Sequence, residues 1–539
     1  MRSHIICMAA LGLLVSCKFA ELPPIDEDAS VDGNGATQYM LTLTVDGAGS
    51  GAGSIAVEPG GFTCSSATCT RIYDAGTELT VTVVGASAID GIVAVTGDCS
   101  ATPCSLVMDG DRAVTAQFVR YACAPNTATC TSGMLTECDA TGNFVSHVIP
   151  NGMNDGTSLT ITMDGYACPM GCHATQPRCA DITLGNGIEL ALDTTGVSPA
   201  GQDIVLPRPG APAGTININT DNFDSAMGVI HLTDTDGSIV DIPAQVVEQP
   251  GEAGAVLVIK ARTFTLRTGG VLKVTGQRAF GIASHFDAYL AGTIDASADW
   301  STIRTGPGAQ VAAACVGGYS AAAPNTTGGG GGACVGGASS AGVPGGAVST
   351  VRAPFVVGGC VGGRGPSALD IPGLPGGGVL ITSRRRIHFA GTSRVDLTGT
   401  GGSGGSSGGS SSARGGGSGG NLVVMAPVAQ VTSTARIYTR GGGGAAASAG
   451  EHVYGIDGAT TDVTSTSGAT CTACGTGGLG GYEGGCAGGA GTGVAGGGIA
   501  GGGGAAGWCT FYSLSGAADA SALATRCVRA SETLQPRSP

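Results

Sequence analysis

Residues 255–276 read Ala-Val-Leu-Val-Ile-Lys-Ala-Arg-Thr-Phe-Thr-Leu-Arg-Thr-Gly-Gly-Val-Leu-Lys-Val-Thr-Gly. Their apolar residues fall in i, i+2 pairs: Val256/Val258, Phe264/Leu266 and Leu272/Val274. Side chains alternate along a strand, so both members of a pair face the same way. The pairs recur every eight residues and continue through Phe280/Ile282, Ala288/Leu290 and Ala296/Ala298. Three sides of eight make a coil of about 24 residues, within the range of solenoid repeats. In such a coil Phe280 is expected to stack on Val256, and Leu290 on Leu266.

The pattern returns at Val379/Ile381, Ile387/Phe389 and Val395/Leu397. A weaker copy follows 42 residues later without gaps, which sets Val423 opposite Ile381, Val431 opposite Phe389 and Ile437 opposite Val395. The competing fold, a β-sandwich, more often has longer strands joined by hairpin turns. The expected class is therefore mainly β. It comprises a small β-rich repeat domain, a disulfide-rich module, then a right-handed parallel β-helix-like solenoid with long Gly-rich loops. Residues 183–512 form the solenoid domain in this reading, with a C-terminal tail at 513–539. The short strand pairs Ile216/Ile218, Ile230/Leu232 and Val240/Ile242 precede the regular beat and suit a cap over an otherwise open end.

Glycine accounts for 99 of the 539 residues, aromatics for 4 % and charged residues for 12 %, so the large side chains of an ordinary core are scarce. Such a composition suits thin-walled solenoids or flexible Gly-rich loops. The net charge of −14 argues against nucleic acid, which requires a basic footprint. Gly-rich insertions occupy about 303–377, 400–419 and 441–507, each leaving after the third side of a coil. They are expected to emerge along one edge as loop tips or flexible segments, so shortening 402–417 is expected to leave the fold intact. They contain no phosphate-binding Gly-x-x-x-x-Gly-Lys pattern.

Residues 1–17 join a basic start to a short apolar run, the pattern of a secretory signal. Leu14-Val15-Ser16-Cys17 resembles a bacterial lipobox, which implies lipidation of Cys17 as the first mature residue. Lys18 in the next position implies outer-membrane sorting by the same resemblance. Residues 18–38 carry Pro23, Pro24, Asp26, Glu27, Asp28 and Asp32 and read as an acidic extended tether.

Residues 39–119 alternate as strands at Leu41–Val45, Leu79–Val83 and Ala113–Phe118. Leu41-Thr-Leu-Thr-Val-Asp-Gly47, Cys64-Ser-Ser-Ala-Thr-Cys69, Gly97-Asp-Cys-Ser100 and Met108-Asp-Gly-Asp-Arg-Ala-Val-Thr-Ala-Gln-Phe118 resemble bacterial surface repeats related to internalin B-type repeats. That family often has a Gly-Trp pair shortly before Gly-x-Cys, where this chain has Ile92-Val93-Ala94-Val95. The resemblance implies a spacer or weakly adhesive module. Residues 120–182 form a Cys-rich module. Its 135–142 stretch resembles modules of surface lipoproteins from soil-dwelling Gram-negative bacteria.

Of 20 cysteines, Cys7 leaves with the signal and Cys17 takes lipid. The rest fall evenly by segment, which fits intradomain disulfides in an oxidising compartment. They are Cys64, Cys69, Cys99 and Cys104 in the repeat, and Cys123, Cys130, Cys138, Cys168, Cys172 and Cys179 in the module. Cys315, Cys334, Cys360, Cys471, Cys474, Cys486, Cys509 and Cys527 lie in the solenoid region. The Cys168–His173 stretch could be a metal site and Cys471-Thr-Ala-Cys474 a redox pair, but disulfides suit both better.

Seven histidines, His4, His147, His173, His231, His285, His388 and His452, show no metal-ligand spacing. No Gly-x-Ser-x-Gly elbow is present. His388, between Ile387 and Phe389, is expected to be solvated. Arg384-Arg385-Arg386 could grip an acidic polysaccharide but reads by default as an exposed corner. Asp287, Asp295, Asp299 and Asp396 are candidate glycosidase carboxylates if the fold gathers them. Asp234-Thr-Asp236-Gly237 is too short for a calcium loop. The expected function is a non-enzymatic cell-surface lipoprotein with a structural, adhesive or glycan-binding role and no cofactor, catalytic residue or metal. A carbohydrate-active β-helix enzyme, a polysaccharide lyase or hydrolase, is the alternative. The expected partners are the membrane, through the lipid, and extracellular glycan or other surface proteins.

Overall fold

The computed structural model describes residues 37–150, 158–180, 203–249, 254–309 and 355–458, apart from Ser50, Pro169, 364–370, 408–409 and 449–450. Parts of 316–346 and 468–514, and residues 529–533, are also described. The signal and Cys17 lie outside these residues. The described residues are mainly β and contain no helix. Two compact units, Met1–Pro125 and Asn126–Pro539, divide the chain.

In the first unit, Leu41 and Leu43 are buried because alternation turns them to one face of strand Gln38–Gly49. That strand pairs antiparallel with Thr68–Asp74 and parallel with Arg112–Arg120. A second sheet joins Phe62–Cys64, Gly53–Glu58, Glu78–Gly85 and Cys104–Val107. Ile55, Leu79 and Val81 of this sheet share a core with Leu41, Val114 and Phe118 of the first. Ile92 and Val93 are exposed on strand Asp90–Gly97 beside a register irregularity. Cys64–Cys69 and Cys99–Cys104 each close a short loop.

In the second unit, three sheets are built in rotation. Ala255–Ala261, Ala279–Ser284, Gly378–Ser383, Asn421–Met425, Cys509–Ser513 and Arg529–Thr533 are consecutive parallel neighbours in the first sheet. Ile204–Leu206, Phe264–Leu266, Asp287–Leu290, Arg386–Phe389 and Val428–Val431 form the second, again parallel. Gly214–Asn219, Gly270–Thr275, Thr293–Asp295, Arg394–Asp396 and Arg436–Tyr438 form the third. From Ala255 the chain visits sheets one, two and three in that order, four times. All three sheets feed one core that includes Phe264, Leu272, Phe280, Ile381, Phe389 and Ile437. At the other end, Phe223–Asp224, Val229–Thr233 and Ile239–Glu248 fold antiparallel onto Ala255–Ala261, where the cap was expected. Strands two and three of a coil therefore begin earlier than the eight-residue beat, at Ile204 and Gly214.

The second sheet pairs as its spacing predicts, with Leu266 opposite Leu290 and Phe389 opposite Val431. Ile437 lies opposite Val395 in the third. The first sheet is one residue out. Phe280 pairs with Leu257, not Val256, and Val423 pairs with Leu380, not Ile381. Leu257 and Ile259 join the shared core, whereas Val256, Val258, Leu380 and Val423 form a second cluster with Met170, Val356 and Tyr512. This sheet is buried on both faces, and an unbroken apolar run carries no alternation to set its register. The 42-residue copy is not free of gaps: Ser383-Arg384-Arg385 turns the corner in one coil and Ala426-Pro427 in the next. In the third sheet Ile294 pairs with Leu272. The inward pair is thus Ile294/Ala296, and Ala298 is only half-buried.

In their described residues the Gly-rich stretches are not loop tips. These residues are largely buried and bond to one another through the backbone. The 413–420 segment lies at the centre of this arrangement. Gly416 donates to Gly502 and Gly419 to Ala505, while Arg414, Gly417 and Gly420 donate to Ser403, Thr400 and Leu397. Ser418 donates to Cys360. Carbonyls of the same segment accept from Gly328 and Gly331, from Gly373 and Gly376, and from Gly442 and Ala445. Each neighbouring segment that is met twice is met again after three residues. A three-residue return with bonds running between segments is the period of polyproline-II backbone, here with six neighbouring segments. Close approach excludes side chains: a Cβ on Gly416 would overlap the Gly442 carbonyl, and one on Gly420 the Gly377 carbonyl.

The Cys-rich module gathers Leu135, Met163, Cys168 and Cys179 around Phe286 of the second sheet's entry corner. Cys130–Cys172 and Cys168–Cys179 staple it. Cys123, Cys138, Cys360 and Cys509 are disulfide-bonded as well. The side chains of Cys315, Cys334, Cys471, Cys474, Cys486 and Cys527 lie outside the described residues.

Candidate functional site

Adjacent coils bring Asp287 opposite Arg386. Asp287 Oδ2 accepts from Arg385 Nη1 at 2.9 Å and from Arg386 Nη2 at 2.8 Å. Arg384 Nη1 lies 2.6 Å from His285 Nδ1. Arg384, His285 and Asp287 are 2 %, 3 % and 7 % exposed, so this is not an open corner. Tyr166 of the Cys-rich module meets Phe286 edge-on with ring centroids 6.1 Å apart. Burial pushes the Tyr166 hydroxyl above its ordinary pKa. The arginine run thus neutralises a carboxylate beneath the module, which leaves it poorly placed to grip a polysaccharide. His388 does point away from the core, but it is half-buried rather than solvated. It stacks edge-on against Tyr289 at 5.3 Å, and burial lowers its pKa.

On the outer side of the third sheet, register aligns Lys273, Asp295, Asp396 and Tyr438 in one column. Asp299 lies beside this column, paired with Lys273 Nζ at 3.5 Å and Arg304 Nη2 at 3.9 Å. Three of the four candidate carboxylates therefore meet here, and Asp287 is apart on the second sheet. Each of the three turns a corner. Asp295 Oδ1 accepts from Ser297 N and Oγ at 3.1 and 2.6 Å. Asp299 Oδ1 accepts from Ser301 N and Oγ at 2.9 and 2.6 Å. Asp396 Oδ1 accepts from Thr398 N at 3.2 Å and its Oδ2 from Arg394 Nη2 at 2.6 Å. Asp-x-Ser/Thr is a local side-chain-to-backbone turn. The Ser301 hydroxyl bond is the main reason the Asp299 pKa falls to about 2. Burial instead raises that of Asp396.

The rim of this face holds residues that the sequence pattern did not single out. Backbone bonds run both ways between Asp299 and Arg304, at 2.8 and 2.9 Å, and close a tight hairpin. The hairpin carries half-exposed Trp300 and Ile303, which is 59 % exposed at φ 53°. The Trp300 ring lies 5.9 Å from Tyr454 at an angle of 57°. His452 stands edge-on to Tyr454 at 6.2 Å. Tyr454 is 52 % exposed. The available signal was scarcity, for Trp300 is one of two tryptophans in the chain.

The chain matches no family model, no curated protein and no solved structure.

The remaining polar clusters have structural partners. Cys168 and Cys172 belong to separate disulfides. The His173 Nδ1 beside them accepts from the amides of Thr175 and Gln176. Asp234 is buried and binds the Arg208 amide at 2.9 Å and Nε at 3.2 Å. Among the described residues no group of three or more His, Cys, Asp or Glu side chains could hold a metal ion. Among the described residues no helix is long and apolar enough to cross a membrane, a statement that leaves β-barrels aside.

Proposed function

We propose that this chain is a non-enzymatic cell-surface lipoprotein of the outer membrane with a structural, adhesive or glycan-binding role. In this reading residues 1–17 are its signal and Cys17 its lipid anchor. The acidic tether and the internalin-like repeat space a right-handed parallel β-helix away from the membrane. The observation that carries the reading is the join between two backbone-bonded bodies. The last strand of the third side, Arg436–Tyr438, runs on into Thr439, which accepts from Gly507 of the glycine bundle. Buried backbone pairing on this scale makes a stiff surface that needs few large side chains. Acyl labelling of the full chain tests the anchor: label is expected on the native chain and absent from Cys17→Ser. Equal labelling of both would overturn it.

The alternative, a carbohydrate-active enzyme, draws on the Asp295–Asp396 column. It is the weaker reading because Asp396 is 5 % exposed and ion-paired, and Asp295 is held by Ser297. Turnover of a polysaccharide by the full chain, lost in Asp295→Asn, would reverse this preference.

A further inference from the structure

We propose that Trp300 and Tyr454 form a stacking platform for one pyranose ring of a neutral glycan. The inference rests on the surface-protein reading and gives its binding role a place on the third-sheet rim.

Aromatic residues are scarce here, and the other tryptophan, Trp508, is 8 % exposed. Trp300 and Tyr454 are turned outward instead. Their rings meet at 57° with centroids 5.9 Å apart, so they form a shallow angled seat and do not cover one another's faces. A pyranose presents an apolar C–H face with hydroxyls around its edge. The seat supplies two aromatic faces, and charged groups flank it: Asp299, adjacent to Trp300, with its partners Lys273 and Arg304. Carboxylate and cationic groups accept from and donate to hydroxyls respectively. Asp295, opposite Lys273 in the column, adds a second carboxylate, so that two carboxylates offset the two cations, which favours a neutral sugar over a polyanion.

The seat is preformed, as ligand sites usually are. The Asp299–Arg304 hairpin is tied by its two backbone bonds, and Ile303 N also donates to Trp300 O at 3.2 Å. Left-handed backbone at a β-branched residue such as Ile303 is uncommon and concentrates at functional sites. On the other side, Gly455 N donates to Gly402 O, and Gly443 N to Ile456 O. These bonds hold Tyr454 against the glycine bundle. A stable protein partner would need about 800 Å² of surface on each side, more than two rings and their neighbours offer.

The test uses the full chain against a panel of neutral and acidic oligosaccharides, followed by titration calorimetry on each one bound. Native protein is expected to bind at least one, with affinity reduced tenfold or more in Trp300→Ala and Tyr454→Ala. Trp300→Phe, which retains a ring, should keep most of the affinity. Thermal unfolding of each variant checks that it is folded. Native-like binding by folded Trp300→Ala and Tyr454→Ala would overturn the platform while leaving a glycan-binding surface protein standing. Binding of none of the panel by native protein would overturn the neutral-glycan assignment. So would binding only of acidic glycans, or of a protein in place of a glycan. Failure of Cys17 labelling would overturn the anchored reading without touching the platform.

Discussion

The amide of Gly416 donates to the carbonyl of Gly502 at 2.9 Å, and three residues on, Gly419 donates to Ala505 at the same distance. This three-residue return converts a low-complexity stretch into a packed interior. A methyl group at Gly416 meets the Gly442 carbonyl, which is backbone and cannot swing aside. Gly416→Ala should therefore destabilise the second unit by roughly 3 kcal/mol or more, at the upper end of overpacking costs. Gly391 is the control. Its φ is +54° but nothing lies near its would-be Cβ, so Gly391→Ala should cost only about 1 kcal/mol of backbone strain. Denaturant unfolding compares them, and equal stabilities would show that the bundle is not tightly packed.

The shared core makes a second prediction. Phe389 is 1 % exposed and meets Phe511 with ring centroids 6.2 Å apart. Phe389→Ala should destabilise by about 3–5 kcal/mol. A loss under about 1 kcal/mol would place Phe389 outside any core.

The arginine corner, which the sequence reads by default as exposed, makes a third. Asp287 binds both Arg385 and Arg386, so its loss strands two cations beneath the Cys-rich module. Asp287→Asn should cost about 2 kcal/mol, as for charge-assisted bonds in a partly buried site. Arg385→Ala, which leaves Arg386 in place, should cost about 1 kcal/mol. The order of the two is the measurement: a larger effect at Arg385 would contradict the shared-carboxylate geometry.

What was legible in the sequence follows from where one face is polar. Thr265 separates Phe264 from Leu266, and His388 separates Ile387 from Phe389, so the second side could be read residue by residue. Val256-Leu257-Val258-Ile259 offers no such contrast, because Met170 and Val356 cover its outer face. The one-residue error there is the natural result. Spacing showed that Asp295 and Asp396 could share a face but not that Ser297 and Thr398 occupy their oxygens. The glycine stretches were least legible. Their order comes from bonds between segments far apart in sequence, such as Gly328 to Ala413, and glycine carries no side-chain pattern to announce them.

His231 gives a pH-dependent prediction. The ring is outward on the antiparallel strands that cap the first sheet, with Nδ1 2.7 Å from Asp241 Oδ1 and Nε2 3.8 Å from Asp224 Oδ2. The Asp241 bond is the main cause of its raised pKa. A raised value means that the folded state holds the proton more tightly than the unfolded chain. The stabilisation is complete below the unfolded value of about 6.5 and is lost as pH rises through the higher folded value. The unfolding midpoint of native protein should fall across that window relative to His231→Gln. Parallel pH profiles for the two proteins would rule the linkage out.

The last prediction concerns 402–417, whose shortening the sequence suggested would be harmless. The structure divides this stretch in two. Gly404–Ser407 and Ser410–Ala413 form an antiparallel hairpin, and the second strand also pairs with Asn325–Thr327. Arg414 to Gly417 belong to the segment that six others surround. Arg414 is itself 2 % exposed, and burial lowers its pKa to about 10. Replacing 405–412 by a two-residue turn should keep a cooperative transition, with a loss of at most about 2 kcal/mol from the few bonds removed. Deleting 415–417, one full turn, removes donors to Gly502 and Thr400 and acceptors for Gly373, Gly331 and Gly442 together. Backbone groups orphaned in a buried bundle each cost about 1–3 kcal/mol, so this deletion should abolish the cooperative unfolding of the second unit. Limited proteolysis distinguishes the outcomes. A protease-resistant 415–417 deletion would mean that the glycine segments do not depend on one another.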